Sequence, residues 1–322
     1  MREPKTLQEA VVYFSSPDNC LRYLAVKRWP KGVVCPTCGS ERVTFNALRR
    51  IWQCSSHHPK RQFSVKVGTI FEDSAIGLDK WLVAVWMVIN CKNGISSYEV
   101  ARSLGVTQKT AWFMMHRIRL ALQDESGGKL GGEVEVDETY IGGLARNMHA
   151  DRRKKKFQGR TGGAGKVAVL GLLERGKKGQ SKVRSHVIPE AWKEVARQVI
   201  RKSVEPGSSI YSDEHGAFYD LNKEGFQHDF VRHAETYVDG VVHTNGLENF
   251  WSLLKRGIKG TYVSVEPFHL FRYLDEQAFR FNNREDLDDR GRFDLAVSQV
   301  MGRRLTWNRL TGKTANLETS PN

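Results

Sequence analysis

The pattern of apolar and polar positions divides the chain into stretches of different character. Residues 1–72 have the pattern of short helices followed by a Cys/His-rich segment, and residues 73–124 show helical periodicity with few breakers. A glycine-rich linker, DESGGKLGGE, leads into the apolar run VEVDETYIGG, after which predicted strands and helices alternate. This order predicts an α/β domain over residues 125–283. Residues 284–322 are predicted to form a C-terminal extension that is partly disordered.

Two acidic residues interrupt the first predicted strand of the α/β domain. Alternation along VEVDETYIGG places Asp137 and Glu138 on opposite faces, so we expect only one of them to face the core. A carboxylate on a central strand is costly to desolvate unless it meets a cation or a metal ion. A metal ligand is therefore a natural interpretation, although a single Asp or Glu at the surface is usually only solvated.

Two more acids follow at defined places in the same domain. KVAVLGLLERG and KVRSHVIPE predict the second and third strands, and AWKEVARQVIRKSV predicts a helix. SSIYSDEHGAFYDL then predicts a short fourth strand with Asp213 at its C-terminal tip, where sites in sheet-plus-helix folds collect. HTNGLENFWSLLKRG predicts an amphipathic helix with Glu248 in its first turn, where an acid also favours the helix dipole.

The Cys/His-rich segment predicts a zinc ribbon. Cys35 and Cys38 form a C-x2-C turn, and a third thiol, Cys54, precedes His57 and His58. Zn²⁺ prefers four nitrogen or sulfur ligands in a tetrahedron, and so small a segment needs the ion to fold. We expect one structural zinc ion, with His58 as the fourth ligand and His57 as the alternative. In the competing interpretation, Cys54 is a core residue and both histidines lie at the surface.

The segment GISSYEVARSLGVTQKTAWFMMHRIRLAL predicts a helix-turn-helix. The first helix begins near Ser96 or Ser97, the turn is LGVT, and the second helix follows Thr107. Such a pair within residues 73–124 is typical of a DNA-binding domain, although similar pairs also occur in ordinary protein cores. The candidate DNA-binding residues of the second helix are Gln108, Lys109, Thr110 and Arg117, with Arg119 nearby.

Composition strengthens the case for a nucleic-acid partner. The 322 residues include 50 Lys and Arg against 36 Asp and Glu, a formal net charge of +14. This balance is typical of proteins that meet a polyanion. The run RNMHADRRKKKFQGRTGGAGK, between the first two predicted strands, is either a solvated loop or a phosphate-binding hairpin. Its candidate DNA-binding residues are Arg152, Arg153, Lys154, Lys155 and Lys156.

The same totals bear on where the protein works. Five cysteines, an odd and unevenly spaced set, do not resemble the disulfide framework of a secreted protein. The longest apolar run, WLVAVWMVIN, is too short to span a bilayer and predicts a buried helix. The N-terminus lacks a signal-peptide pattern. We therefore expect a cytoplasmic, nucleoid-associated protein with no membrane partner.

The motifs VDETYIGG, YSDEHGAFYDL and TNGLENFWSLLKRG resemble those of DDE transposases of bacterial insertion sequences, in the group with an N-terminal zinc ribbon. The resemblance covers roughly residues 20–283. It implies a ribonuclease-H-like α/β fold, a mixed sheet with flanking helices, preceded by the zinc ribbon and the helix-turn-helix. It also implies that Asp137, Asp213 and Glu248 are catalytic acids that bind two Mg²⁺ or Mn²⁺ ions. Some relatives carry Asn at the third position, and Asn flanks Glu248 at two positions, Asn245 and Asn249.

The resemblance further implies the substrates and the reaction. Such a protein binds the terminal inverted repeats of its element, cuts a strand at the element end and transfers it to double-stranded target DNA, as a dimer or higher homo-oligomer. Lys255, seven residues after Glu248 on the same helix face, corresponds to a basic residue that contacts a DNA phosphate or a terminal base. The alternatives are a nuclease or resolvase on this fold, and a DNA-binding regulator whose α/β domain only dimerises.

Overall fold

The computed structural model describes residues 3–124, 128–142, 166–177, 180–188, 192–213, 218–231 and 242–312. Their contacts group into two compact units. One comprises Met1–Gln123 together with Leu287–Asn322, and the other comprises Asp124–Asp286. The division into functional segments inferred from the sequence stays a prediction. Part of the C-terminal extension that is expected to be disordered, from residue 313 onward, lies outside the described residues.

The first unit is built around one apolar helix. The Cys/His segment follows helices α1 (Leu7–Phe14) and α2 (Pro17–Arg28) and precedes helix α3 (Leu78–Asn90). Every residue of α3 from 81 to 89 is buried. Helix α9, Asp289–Ser298, belongs to the same unit, where the ring of Phe293 packs on those of Phe14, Tyr23 and Trp86. The apolar run is thus the core of the unit. Among the described residues, no helix combines the length and apolar composition needed to cross a bilayer.

The Cys/His segment folds as a small antiparallel sheet. Strands β1 (Val43–Asn46), β2 (Ile51–Cys54) and β3 (Gln62–Phe63) pair in that order. Trp52 on β2 stacks on Phe63 with ring centroids 6.0 Å apart and packs edge-on against Trp29 at 5.4 Å. This sheet has little other apolar surface to bury, so a bound ion is the expected source of its stability.

The predicted helix-turn-helix is confirmed as a pair of helices, α4 (Ser97–Leu104) and α5 (Gln108–Ala121). A capping box joins Ser96 and Glu99 at the start of α4, and Thr107 caps α5. Gly105 ends α4 with φ of 60°, a left-handed conformation that favours glycine. The two helices bury Val100, Ala101, Leu104, Ala111, Met114, Met115 and Ile118.

The second unit contains the ribonuclease-H-like mixed sheet that the resemblance implies. Its strands are β4 (Glu133–Ile141), β5 (Val167–Glu174), β6 (Lys182–Ile188), β7 (Ser209–Asp213) and β8 (Gln227–Val231). The spatial order is β6-β5-β4-β7-β8, and β5 pairs antiparallel with both β4 and β6. Strands β4, β7 and β8 run parallel, so the C-terminal ends of these three strands lie at one edge.

Helices cover both faces of this sheet. On one face, Val134 and Val136 of β4 pack in a cluster with Ala196 and Ile200 of helix α6, Trp192–Ser203. The other face packs against helices α7, Asn245–Arg256, and α8, Leu270–Asn282, through residues such as Leu247, Trp251 and Leu270. The expectation that only one of the two acids on β4 faces the core is therefore wrong, because both faces of the strand are covered. Both Asp137 and Glu138 are half-buried.

Candidate active site

Asp137 and Asp213 lie side by side on adjacent parallel strands. The pairing of β4 with β7 ends at Val136 and Ser212, and each aspartate is the next residue along its strand. Their carboxylate oxygens and that of Glu138 all lie within 4.8 Å of one another. The structure therefore brings together two of the three predicted catalytic acids, with Glu138 as a third member of the group.

Burial and neighbouring charge raise the pKa values of Asp137 and Glu138. Burial is the main cause for Asp137, whose pKa rises to about 6, and the charge of Asp213 adds to the effect. For Glu138, burial and then the charges of Asp213 and Asp137 raise the pKa to about 8. Repulsion among half-buried carboxylates is relieved by a divalent cation, and oxygen donors are those that Mg²⁺ and Mn²⁺ prefer. The donor set therefore fits such an ion.

Asp137 is oriented by a residue on helix α7. The indole Nε1 of Trp251 donates a hydrogen bond of 2.9 Å to Asp137 Oδ2. Gly171, which pairs with Asp137 across the β4–β5 ladder, makes room for the indole, because a Cβ there would lie 2.5 Å from Trp251 Cζ2. Trp251 is a site residue that sequence reasoning missed. Trp251 lies three residues after Glu248 on the same helix face, and this spacing is the sequence signal that could have identified it as a neighbour of the site.

Glu248 lies exposed in the first turn of α7 and is not a member of the three-carboxylate group. Its charge nevertheless contributes to the raised pKa of Asp137, so the two carboxylates lie near each other. Lys255 is half-buried. Burial lowers the pKa of Lys255, the charge of Asp137 opposes that change, and Lys259 and Lys166 lower the pKa further. The carboxylates thus lie beside a group of lysines.

The predicted zinc ligands also converge. Cys35, Cys38, Cys54 and His58 place their donor atoms within 4.8 Å of one another, and His57 is not a member of this group. Cys35 Sγ lies 3.4 Å from His58 Nε2, and Cys38 Sγ lies 3.7 Å from Cys54 Sγ. Three thiols and an imidazole are the donor set of a structural zinc site.

Local hydrogen bonds prepare two of these groups to bind a metal. His58 Nδ1 lies 2.6 Å from the carbonyl oxygen of Pro59 and must donate to it, which leaves Nε2 as the metal donor. Burial favours a higher pKa for Cys54, but hydrogen bonds with His58 and Ser56 outweigh it and lower the pKa to about 6. A thiolate is the form that binds Zn²⁺.

Three of the predicted DNA-binding residues lie in the first turn of α5. Lys109 is exposed, with Nζ 4.6 Å from the centroid of the Trp307 ring, and the half-buried Gln108 donates to Ser97 Oγ. Thr110, also half-buried, lies 2.9 Å from the Thr107 hydroxyl. Residues 152–156 lie outside the described residues.

Arg117, predicted to contact DNA, does not lie on the exposed face of α5. Only 4% of its surface is exposed, and Arg119 is buried as well. The guanidinium of Arg117 stacks near the rings of Phe113 and Trp81 and donates to the carbonyl oxygen of Glu72. This side chain is therefore unavailable to a DNA groove, because packing within the unit encloses it.

Comparisons with known proteins agree with these two sites. Residues 129–282 match the family model described as an ISXO2-like transposase domain, and residues 15–57 match a transposase zinc-ribbon domain. The ribbon match ends one residue before His58, so that ligand rests on geometry alone. A protein in transposable element ISH50 of Halobacterium salinarum is 30% identical over 273 residues, 81% of this chain and 89% of that protein. A transposase-like protein of Haemophilus influenzae is 30% identical over 104 residues, 32% of this chain and 84% of that protein.

Proposed function

Because the chain belongs to the IS1595 family of insertion-sequence transposases, with a zinc ribbon and a DDE transposase domain, we propose that it cuts DNA at the ends of its element and transfers the cut strand to target DNA. The observation that carries this proposal is the convergence of Asp137, Glu138 and Asp213 within 4.8 Å, at the point where the parallel pairing of β4 with β7 ends. Sites in such sheets collect at this edge.

Asp137, Asp213 and Glu248 are the residues that would bind the divalent ions, with Glu138 as a further oxygen donor. Two Mg²⁺ or Mn²⁺ ions, when bound, would activate the attacking oxygen and neutralise charge on the leaving oxygen. Trp251 orients Asp137 for this role, since its indole N–H donates to Oδ2. Mutual repulsion of the acids supports this assignment, because it makes the site costly without a positive charge.

The reaction is a pair of phosphoryl transfers. In the first, a water oxygen bonds to phosphorus at the element end, the bond to the 3′ oxygen breaks, and that oxygen takes up a proton. In the second, the freed 3′-hydroxyl loses its proton and bonds to a target phosphorus, whose own 3′ oxygen leaves. Each step breaks one phosphorus–oxygen bond and forms another, so no covalent protein intermediate is required. Lys255, with Lys166 and Lys259 nearby, would bind the phosphates of the reacting strand.

The zinc ribbon and the helix-turn-helix are proposed to bind the terminal inverted repeats. The exposed Lys109, with Gln108 and Thr110, lies in the first turn of α5, the part of a recognition helix that reaches base edges. The basic residues 152–156 are proposed to contact phosphates as well. Two ends must meet for strand transfer, so a dimer or larger assembly on DNA is part of the proposal.

The test uses purified protein and DNA carrying the ends that flank its gene. We expect nicks at the ends and joined products in Mg²⁺ or Mn²⁺. Asp137→Asn should abolish both while the mobility shift of the DNA is unchanged. Nicks without joined products would support a nuclease, and intact DNA with wild-type protein would support a regulator; either result contradicts strand transfer.

A further inference from the structure

Glu135 is a buried carboxylate with no role in the site described above. It lies on β4 two residues before Asp137, on the same face of the strand, and 1% of its surface is exposed. Its Oε2 accepts the backbone N–H of Leu247 at 2.9 Å, and its Oε1 accepts from Arg175 Nε at 2.9 Å. Both oxygens are therefore engaged by donors, so Glu135 is not in a position to act as a metal ligand.

The contact with Leu247 caps helix α7 from a distant part of the chain. Leu247 is the third residue of α7, and its N–H is one of those left without an acceptor inside the helix. The local cap residue, Thr244, makes no side-chain capping bond, so the Glu135 carboxylate takes this place. Its negative charge also favours the positive end of the helix dipole.

Two further contacts tie the start of α7 to the same carboxylate. Arg175 Nη2 donates two hydrogen bonds to His243, one to the carbonyl oxygen at 2.7 Å and one to the ring Nδ1 at 2.8 Å. Gly246 lies so close that a Cβ there would be 2.8 Å from Glu135 Oε2. The segment entering α7 is thus joined to β4 through Glu135 both directly and through Arg175.

We propose that Glu135 is a positioning residue that fixes Glu248 relative to Asp137. Glu248 directly follows Leu247, and Asp137 is the next residue on the Glu135 face of β4. The Glu135 carboxylate thereby connects strand β4, which bears Asp137, to helix α7, which bears Glu248. This inference rests on the proposed function, in which both acids bind the same ions.

The test compares Glu135→Gln with a matched control, Glu174→Gln. Glu174 lies on β5 and accepts the N–H of Gly131 at 2.7 Å, a similar carboxylate–amide bond that leads away from α7. Mn²⁺ binding is measured by titration calorimetry in the full chain, beside the thermal midpoint. Replacing a residue that orients a metal ligand typically weakens metal affinity by about 10–100-fold. We expect a weakening in this range for Glu135→Gln and none for Glu174→Gln.

A double variant separates positioning from general destabilisation. In a Glu248→Gln background, Glu135→Gln should weaken Mn²⁺ binding no further, because the residue acts through Glu248. If Glu135→Gln fails to fold, Gly246→Ala tests the same link, since its Cβ displaces α7 from the carboxylate while every charge stays, and we expect the same loss of affinity.

If Glu135→Gln binds Mn²⁺ with wild-type affinity, the inference is overturned while the proposed function stands. Where Glu135→Gln does not fold, wild-type affinity in Gly246→Ala has the same meaning. An equal further loss in the Glu248→Gln background would also overturn it. Absence of Mn²⁺ binding by the wild-type protein would overturn the proposed function, and the inference with it.

Discussion

The indole nitrogen of Trp251 donates a hydrogen bond of 2.9 Å to Asp137 Oδ2, and the ring lies over the position where Gly171 has no side chain. One bond therefore links the central strand to the helix that bears Glu248. It also favours the charged form of Asp137 and opposes the effect of burial on its pKa.

Trp251→Phe should weaken divalent-ion binding while the packing is largely retained. The phenyl ring fills most of the same space but cannot donate to Asp137, so the carboxylate loses both orientation and stabilisation of its charge. We expect Mn²⁺ affinity at neutral pH to fall about tenfold, the lower end for an outer partner of a ligand. Calorimetric titration measures it, and an unchanged affinity would show that the hydrogen bond does not serve metal binding.

Gly171→Ala should destabilise the sheet and displace the indole. The added Cβ would lie 2.5 Å from Trp251 Cζ2 and 2.8 Å from Leu247 Cδ2, and overpacking of this kind costs about 1–3 kcal/mol. Thermal melting provides the measurement. Gly260→Ala is the control, because a Cβ there meets nothing within 4 Å. Equal midpoints for the two variants would contradict the close packing of α7 on β5.

Asp137→Asn should stabilise the protein without Mg²⁺ or Mn²⁺ at pH values above about 6. The folded state raises the pKa of Asp137 from 3.8 to about 6, so the stabilising contribution of its protonated form is present below the unfolded pKa and is lost as pH rises through 6. Above that range the variant should be more stable by on the order of 3 kcal/mol. Near the unfolded pKa the difference should vanish.

Melting curves of the zinc-loaded protein across this pH range, without added Mg²⁺ or Mn²⁺, check the sign. Saturating Mn²⁺ should stabilise the wild-type protein more than the variant, because only the former keeps the charged ligand. A variant that is less stable than wild type at every pH would refute the account of carboxylate repulsion.

His58→Ala and His57→Ala should differ in zinc content. Only His58 lies with Cys35, Cys38 and Cys54, so its loss leaves three ligands and a weaker site, whereas His57→Ala should retain one equivalent of zinc. Elemental analysis after dialysis measures the metal. Loss of zinc from His57→Ala with retention in His58→Ala would reverse the assignment.

The elements with strong local signals could be predicted from the sequence. The capping residues Ser96 and Thr107 set the starts of α4 and α5, and the apolar run after Asp79 became the core helix α3. Strand β8, Gln227–Val231, was missed because QHDFV is a polar, largely exposed strand at the sheet edge and has no clear alternation.

The contacts that orient the candidate site could not be predicted in the same way. Glu135 and Leu247 are 112 residues apart, and no local pattern signals that a strand carboxylate caps a distant helix. The burial of Arg117 depends on Trp81, a residue of another helix. Both faces of β4 are covered, which alternation alone does not reveal. Long-range packing decides all three cases.

The most direct measurement of the central claim, that these acids bind the ions used in DNA cleavage, is cleavage of an element end by Asp213→Cys in Mg²⁺ and in Mn²⁺. A thiolate is a poor ligand for Mg²⁺ and a better one for softer ions. We predict that the variant is inactive in Mg²⁺ and regains cleavage in Mn²⁺, while wild-type protein cuts in both. Full activity of the variant in Mg²⁺ would contradict the claim that Asp213 binds a catalytic metal ion.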